Sequence, residues 1–215
     1  RTNLSGKLIT AHEDERRRLA RELHDDLSQR LARLSIDTGA LKMDLGRDKL
    51  DDDIGNLQKD IISVSKDVHD MSYQLHPSIL DDLGIETALK TELQQISTHC
   101  PAQLTERIEP MDSTISREAA LCTFRIAQEA LHNAVRHADA TQIKLELKQA
   151  GDKLELSVSD DGIGFRVKEH KPVVGLGLFS MHERAKLLGG VLKLVSSPGQ
   201  GTIVMASLPL DGVNP

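Results

Sequence analysis

The first third of the sequence contains the feature that most constrains its fold, a stripe of apolar residues at helical spacing. Seven apolar side chains recur there at alternating intervals of three and four, namely Ile54, Leu57, Ile61, Val64, Val68, Met71 and Leu75. This spacing is typical of the seam of a coiled coil or helical bundle and predicts a helix. We expect the helix to end at Pro77, because a proline disfavours helical conformation in the residue before it.

A series of leucines precedes this stripe and predicts another helix. Its members are spaced by three, four or seven residues, at Leu19, Leu23, Leu27, Leu31, Leu34, Leu41 and Leu45. The Asp-rich break at 46–53 would join the two helices as an antiparallel hairpin. One hairpin leaves its apolar seams partly exposed, whereas two hairpins paired as a four-helix bundle bury them. We therefore expect a homodimer formed through residues 1–77, although a purely structural coiled coil has the same periodicity.

The remainder of the chain has a mixed pattern of helices and strands. Helices are predicted from 82 or 83 to 99, from the N-cap Ser116 to Ala138, and in a segment that ends near Leu188. Strands are predicted at 143–147, 154–158, 191–196 and 202–208, and a Gly151-Asp152 turn joins the first two. This mixture predicts an antiparallel or mixed sheet that helices cover on one face.

Charge and composition exclude several classes of partner. A net charge of -6 and an aromatic content of 2% argue against a direct nucleic-acid partner. Cys100 and Cys122 lack metal-ligand spacing and are typical of a reducing compartment. No apolar run is long enough to span a bilayer. We therefore expect a cytoplasmic protein, attached to a membrane only through a segment upstream of Arg1, if at all.

The helix predicted from Ser116 to Ala138 has a polar face that suits a ligand. Its polar side chains recur at intervals of one turn, at Glu129, Asn133, Arg136 and His137. Such a face can simply meet water. Alternatively, its carboxylate and amide oxygens suit a hydrated Mg²⁺, which prefers oxygen ligands and keeps several waters.

Two glycine-rich segments follow the predicted strand at 154–158. Asp160-Asp161-Gly162-x-Gly164 can be a tight turn, or it can aim a carboxylate at a ligand that approaches the glycine backbone closely. Gly175-Leu176-Gly177 precedes a predicted helix, whose first N–H groups suit a phosphate. Ser180 stands where a dinucleotide fingerprint has its third glycine, and no Gly-Lys-Ser/Thr phosphate loop is present. Both common nucleotide-binding folds are therefore disfavoured.

The first predicted helix contains a group of side chains suited to phosphoryl chemistry. His24 follows Leu23 and therefore flanks the apolar seam. Asp25 and Gln29 are four residues apart and share a face beside it. The group offers an imidazole nucleophile, a carboxylate that can orient it or take its proton, and an amide that can position a water molecule. A surface histidine without chemistry fits the same position.

The order of these segments resembles the sensor histidine kinases of two-component systems. Residues 18–25 resemble their phosphoacceptor box and 128–138 their asparagine box. Asp160-x-Gly162-x-Gly164 and Gly175-Leu176-Gly177-Leu178 resemble their two glycine boxes, and Gly199-x-Gly201-Thr202 the turn that follows. Residues 75–84 are similar to the segment that joins the bundle to the ATPase domain. These details resemble the nitrate-sensor-like subfamily, and the resemblance covers nearly the whole chain.

The resemblance implies a fold with two domains. Residues 1–80 would form a helical hairpin that dimerises as a four-helix bundle and carries the histidine phosphotransfer site. Residues 81–215 would form a Bergerat-type α/β sandwich, the ATPase fold shared with Hsp90, MutL and gyrase. Only ten residues, 165–174, separate the glycine boxes, so the lid is short, and Phe165 is its sole aromatic residue.

The resemblance also implies cofactors and residue roles. ATP and Mg²⁺ would be bound, with Asn133 coordinating the metal and Glu129 assisting. Asp160 would accept a hydrogen bond from the adenine amino group. Contacts to the nucleotide are implied for the remaining matched positions, Arg136, His137, Gly162, Gly164, Gly175, Gly177 and Thr202.

The activity implied by the resemblance is ATP-dependent autophosphorylation of His24, followed by transfer to a NarL/FixJ-type response regulator. Residues 24–29 resemble the subfamily's phosphatase motif, in which Gln29 would position the water. Two other functions remain open. A serine/threonine kinase of the anti-sigma-factor type shares the ATPase fold but needs neither the hairpin nor His24. A dimeric scaffold with a degenerate ATPase domain predicts missing ligands, yet Asn133 and Asp160 are present.

Overall fold

The computed structural model describes residues 11–16, 18–20, 27, 30–36, 38, 54–65, 68, 78–111, 114–167 and 176–211. The chain divides into two compact units, one formed by Lys7–Ser78 and the other containing Ile79–Pro215. No helix among the described residues is both long enough and apolar enough to cross a membrane. The predictions for His24, Asp25, Gln29, Gly175, the break at 46–53 and Pro77 concern positions outside the described residues.

The described part of the first unit is helical. Helical residues include 11–16, 30–36 and 54–65, which confirms helix in both predicted segments. Thr38 is buried, and its hydroxyl donates to the carbonyl of Leu34 at 2.5 Å, one helical turn away. Leu57 and Val64, two residues of the predicted seam, are 54% and 48% exposed in a single copy of the chain. These apolar side chains therefore have surface to bury against another molecule.

The second unit is a five-stranded sheet with three helices. The strands are β1 (Gln103–Ile108), β2 (Gln142–Ala150), β3 (Lys153–Asp160), β4 (Val191–Ser196) and β5 (Thr202–Pro209). The helices are α1 (Ser78–Ser97), α2 (Arg117–His137) and α3 (Leu176–Leu187). The strand order is β1-β2-β3-β5-β4. The first pair is parallel and the others are antiparallel, so the predicted mixed sheet is confirmed.

Strand β1 was missed by the sequence analysis. Its alternation is weak, because Leu104 and Ile108 are only half-buried and the residues between them are exposed. As an edge strand it needs fewer apolar side chains than the inner strands, which alternate cleanly. Helix α1 also begins earlier than predicted, at Ser78, and Gly84 interrupts it with a φ of 80° that suits glycine.

Helix α2 forms where the sequence predicted it and centres the core. The Ser116 hydroxyl caps its start by accepting from the backbone N–H of Ala119 at 3.2 Å. Phe124, Ala127 and Leu131 are fully buried on the face that packs against the sheet. In β2 and β3 buried residues alternate with more exposed ones, and the buried ones face the helices. The polar side chains of α2 and Asp160, the last residue of β3, come together around one cavity.

Candidate functional site

A cavity of about 340 Å³ lies between α2 and the end of β3. Helix α2 contributes Ala130, Asn133, Ala134, His137 and Ala138, and the sheet contributes Val158, Asp160, Thr202 and Val204. The loop after β3 and the start of α3 close it with Ile163, Gly164, Phe165, Gly177 and Leu178. The cavity is therefore apolar on most sides and polar along one edge, as in small-molecule sites.

Two larger cavities have a different character. One of about 480 Å³ lies on the open face of the sheet, and one of about 780 Å³ lies beside the Gly84 break in α1. Neither is lined by a residue that the sequence analysis proposed as catalytic or ligand-binding. The smaller cavity is the better candidate, because chemistry needs convergent polar groups more than it needs volume.

Six of the proposed residues line the chosen cavity, namely Asn133, His137, Asp160, Gly164, Gly177 and Thr202. Glu129 lies beside them, because its Oε1 accepts a hydrogen bond from the Asn133 amide at 3.1 Å. Gly162 lies two residues after Asp160 and shapes the loop. Arg136 is exposed on α2 and does not line this cavity.

Asp160 is the acidic group of the cavity. Its Oδ1 accepts a hydrogen bond from the backbone N–H of Gly162 at 3.0 Å. Burial raises the pKa of Asp160, and this effect outweighs the hydrogen bonds from the Gly162 and Thr202 backbones, which lower it. The carboxyl group thus presents acceptor oxygens in a largely apolar setting, which suits a ligand that offers a hydrogen-bond donor.

Close backbone approach explains the first glycine segment. A Cβ at position 162 would overlap the carbonyl oxygen of Ala138, and Gly164 has a φ of 55°. The Ile163 N–H donates to the Ala138 carbonyl at 2.7 Å, and the Gly201 N–H donates to the Gly162 carbonyl at 2.9 Å. The loop is therefore fastened on one side to the end of α2 and on the other to the turn between β4 and β5.

The second glycine segment brings the start of α3 against α2. A Cβ at position 177 would overlap the present position of the Glu129 carboxylate, so a larger residue here would require that side chain to move. The first N–H groups of a helix have no partner within the helix and favour anions. This arrangement joins Glu129, Asn133 and the start of α3 at the same end of the cavity.

The expected Mg²⁺ site can be compared with the side chains that the cavity offers as ligands. No group of three or more His, Cys, Asp or Glu side chains suitable for a metal occurs within the described part of the chain. Mg²⁺ does not require one, because it is usually held by one or two protein oxygens together with waters and substrate phosphates. The oxygens of Asn133 and Glu129 fit that mode of binding, whereas they do not fit a closed protein cage.

Sequence reasoning missed several residues that build the site. The apolar side chains of Ile163 and Leu178 line the cavity, and nothing in their pattern distinguished them from ordinary core residues. Asp161 was interpreted only as part of a turn. Its carboxylate accepts from the backbone N–H groups of Thr141 and Gln142, both at 2.8 Å, and from the Thr141 hydroxyl at 2.6 Å. These bonds lower the pKa of Asp161, the one from the Thr141 hydroxyl most of all.

A buried polar cluster behind α2 was also missed. Glu92 of α1 is 3% exposed and accepts from the Gln128 amide at 3.3 Å, and Gln128 in turn accepts from Arg125 at 2.8 Å. Burial raises the pKa of Glu92, against the lowering influence of nearby His132, of the hydrogen bond from Gln128 and of Arg125. The sequence did indicate that Glu92 is buried, because it lies at helical spacing from the apolar residues Ile85 and Leu89, shares their face and precedes Leu93.

The fold and the cavity define a class of protein, an ATPase domain of the kind found in histidine kinases, gyrase B and Hsp90. Residues 120–212 match the family of histidine kinase-, DNA gyrase B-, and HSP90-like ATPases. Residues 15–80 match a second family, described as histidine kinase. The two matches span most of the chain.

Similar proteins agree with these matches. The chain is 32% identical over 204 residues to the oxygen sensor histidine kinase NreB of Staphylococcus carnosus, covering 95% of this chain and 59% of that protein. The blue-light activated histidine kinase of Erythrobacter litoralis has the same fold, with a TM-score of 0.54 at 20% identity over 86% of this chain and 60% of that one. Its histidine kinase domain alone gives a TM-score of 0.52 at 18% identity, covering 85% and 94%. The chain belongs to the histidine kinase family.

Proposed function

We propose that this chain is a protein-histidine kinase core that phosphorylates itself on His24 with ATP. The observation that carries the proposal is the cavity in which Asp160 and the polar edge of α2 converge, in a chain whose residues 15–80 match the histidine kinase family. The proposed division is a phosphotransfer and dimerisation domain at 1–80 and an ATP-binding domain at 81–215.

Nucleotide binding is assigned to the residues around the cavity. The Asp160 carboxyl accepts from the adenine amino group, and Val158, Ile163 and Val204 exclude water from the base. Asn133 and Glu129 hold Mg²⁺, while His137, Gly177 and the start of α3 lie on the phosphate side. The backbone can approach the nucleotide closely at three glycines, Gly162, Gly164 and Gly175. Thr202 lies beside Asp160. Arg136 contributes positive charge from the rim of the cavity. ATP supplies the γ-phosphoryl group.

His24 is the proposed nucleophile. Its imidazole nitrogen attacks the γ-phosphorus in line, and the bond from that phosphorus to the bridging oxygen of the leaving ADP breaks. Asp25 orients the ring and takes the imidazole proton. Positioning and neutralisation of phosphate charge supply most of the rate in such transfers.

A homodimer and a response regulator of the NarL/FixJ type are the proposed partners. The exposed seam residues Leu57 and Val64 support dimerisation, because they offer apolar surface that a second copy can bury. Phosphohistidine then donates its phosphoryl group to an aspartate of the regulator.

The same helix is proposed to act as a phosphatase through Gln29. Hydrolysis of an aspartyl phosphate needs a water aligned opposite the leaving oxygen. A side-chain amide can both donate to and accept from that water without changing charge. The kinase proposal is tested by incubating the chain with γ-labelled ATP and Mg²⁺ and locating the label, which is expected on His24.

A further inference from the structure

Three hydrogen-bonding side chains form a row across the sheet at the cavity. Asp160 of β3 pairs in register with Thr202 of β5, and Thr202 pairs with Ser196 of β4. All three have the parity of buried neighbours such as Val158 and Val204, so the row faces the helices. Asp160 and Thr202 line the cavity, whereas Ser196 does not and lies one strand farther away.

The Ser196 hydroxyl has three partners. The Phe165 N–H donates to its Oγ at 2.9 Å. The Gly201 carbonyl oxygen lies 2.9 Å from the same Oγ and can only accept. The Thr202 Oγ1 lies 3.1 Å away, at a distance where either hydroxyl can be the donor.

Counting protons decides the direction of the last bond. A serine hydroxyl has one hydrogen and two lone pairs. Phe165 occupies one lone pair, and the Gly201 carbonyl requires the hydrogen. The remaining lone pair of Ser196 therefore accepts from Thr202. The opposite assignment would leave the Gly201 carbonyl and the part-buried Ser196 oxygen facing each other at 2.9 Å without a hydrogen, which is unfavourable.

We infer that Ser196 determines the base specificity of the site by accepting a hydrogen bond from the Thr202 hydroxyl. The Thr202 oxygen then presents only lone pairs to the cavity, beside the acceptor oxygens of Asp160. The site selects a base that offers a donor at this edge, such as the 6-amino group of adenine, over a 6-oxo base. This inference rests on the proposed nucleotide site and adds a residue that touches no ligand.

The test compares ADP with IDP, which differ at this edge because inosine has a 6-oxo acceptor and a hydrogen on N1. Calorimetry with the full chain and Mg²⁺ gives the ratio of the two dissociation constants. In Ser196→Ala the Thr202 hydroxyl loses this acceptor and can donate a hydrogen bond to a 6-oxo group. One hydrogen bond of ordinary strength predicts that the preference for ADP narrows about fivefold.

Two further variants separate specificity from loss of structure. Ser197→Ala removes a neighbouring exposed hydroxyl and should leave the preference unchanged. Thr202→Val removes the group through which Ser196 is inferred to act, so adding Ser196→Ala to Thr202→Val should change the preference no further. An equal weakening of ADP and IDP in Ser196→Ala, or an unchanged ratio, would overturn the inference.

A failure of folding would not leave the question open. If circular dichroism shows that Ser196→Ala is unfolded, Thr202→Val alone decides, because loss of an acceptor weakens ADP more than IDP. Greater weakening of IDP would mean that Thr202 donates, and the inference would be wrong. If the wild-type chain binds neither nucleotide, the proposed function itself fails, and that result is distinct because it appears without any substitution.

Discussion

Replacement of Asp160 by asparagine is the sharpest single perturbation of the cavity. The amide oxygen can keep the 3.0 Å hydrogen bond from Gly162. Its NH₂ group then replaces the second carboxylate oxygen of a residue that lines the cavity. A ligand that brings its own amino group would meet a donor where the wild type offers an acceptor.

The magnitude follows from the cost of an unpaired buried donor. That cost is about 1–3 kcal/mol, which corresponds to an affinity for ADP about 5- to 150-fold weaker. Isothermal calorimetry of the Asp160→Asn variant with ADP and Mg²⁺ measures this directly. Asp161→Asn is the matched control, because it makes the same carboxylate-to-amide change at an adjacent residue whose partners are Thr141 and Gln142.

Stability distinguishes a lost contact from a damaged fold. Burial raises the pKa of Asp160, so the native state holds this proton at a higher pH than the unfolded chain does. The unfolding free energy therefore falls as pH rises from the ordinary aspartate range through the raised pKa, and this contribution is absent above it. Asp160→Asn does not titrate and should flatten that part of the stability curve. Wild-type affinity for ADP in Asp160→Asn, at any pH where both proteins are folded, would refute the assignment.

Two other predictions concern the helical hairpin. Replacing Ile61 and Val68 with lysine places unpaired charges in the proposed seam and should convert the dimer to a monomer, as measured by sedimentation at micromolar concentration. A wild-type chain that is already monomeric would contradict the proposed dimer. Gln29→Ala should leave His24 labelling near normal but slow the loss of label from a phosphorylated NarL/FixJ-type regulator, and equal rates of loss in both proteins would exclude the phosphatase role.

The sequence predicted the strongly patterned elements well. Helix α2 was anticipated from its Ser116 cap to Ala138, because a good N-cap and an amphipathic pattern agreed there. The hairpin of β2 and β3 was anticipated from clean alternation on either side of Gly151, whose φ is 64°. In these segments local preference and tertiary burial favour the same structure, so the pattern is readable without knowledge of the fold.

The rest depended on contacts that no local pattern specifies. Strand β1 exists because it pairs with β2, from Gln103 opposite Gln142 onward, and its own residues alternate only weakly. In the cavity, Asp160 and the glycines were predictable because they form a compact motif. Ser196 was not, because its significance lies in pairing with Thr202 across two strands. A hydrogen-bonding row across a sheet combines residues that are far apart in the sequence.

The most direct test of the central claim is transfer of label from γ-labelled ATP to His24. Wild-type protein, His24→Gln and a His99→Gln control would be incubated with labelled ATP and Mg²⁺, and the labelled residue located by mass spectrometry. The account predicts an acid-labile, alkali-stable label on His24 in the wild type and the control, and no label in His24→Gln, which still binds ADP with wild-type affinity. An acid-labile label that persists in His24→Gln, or an acid-stable label on serine or threonine, would contradict it.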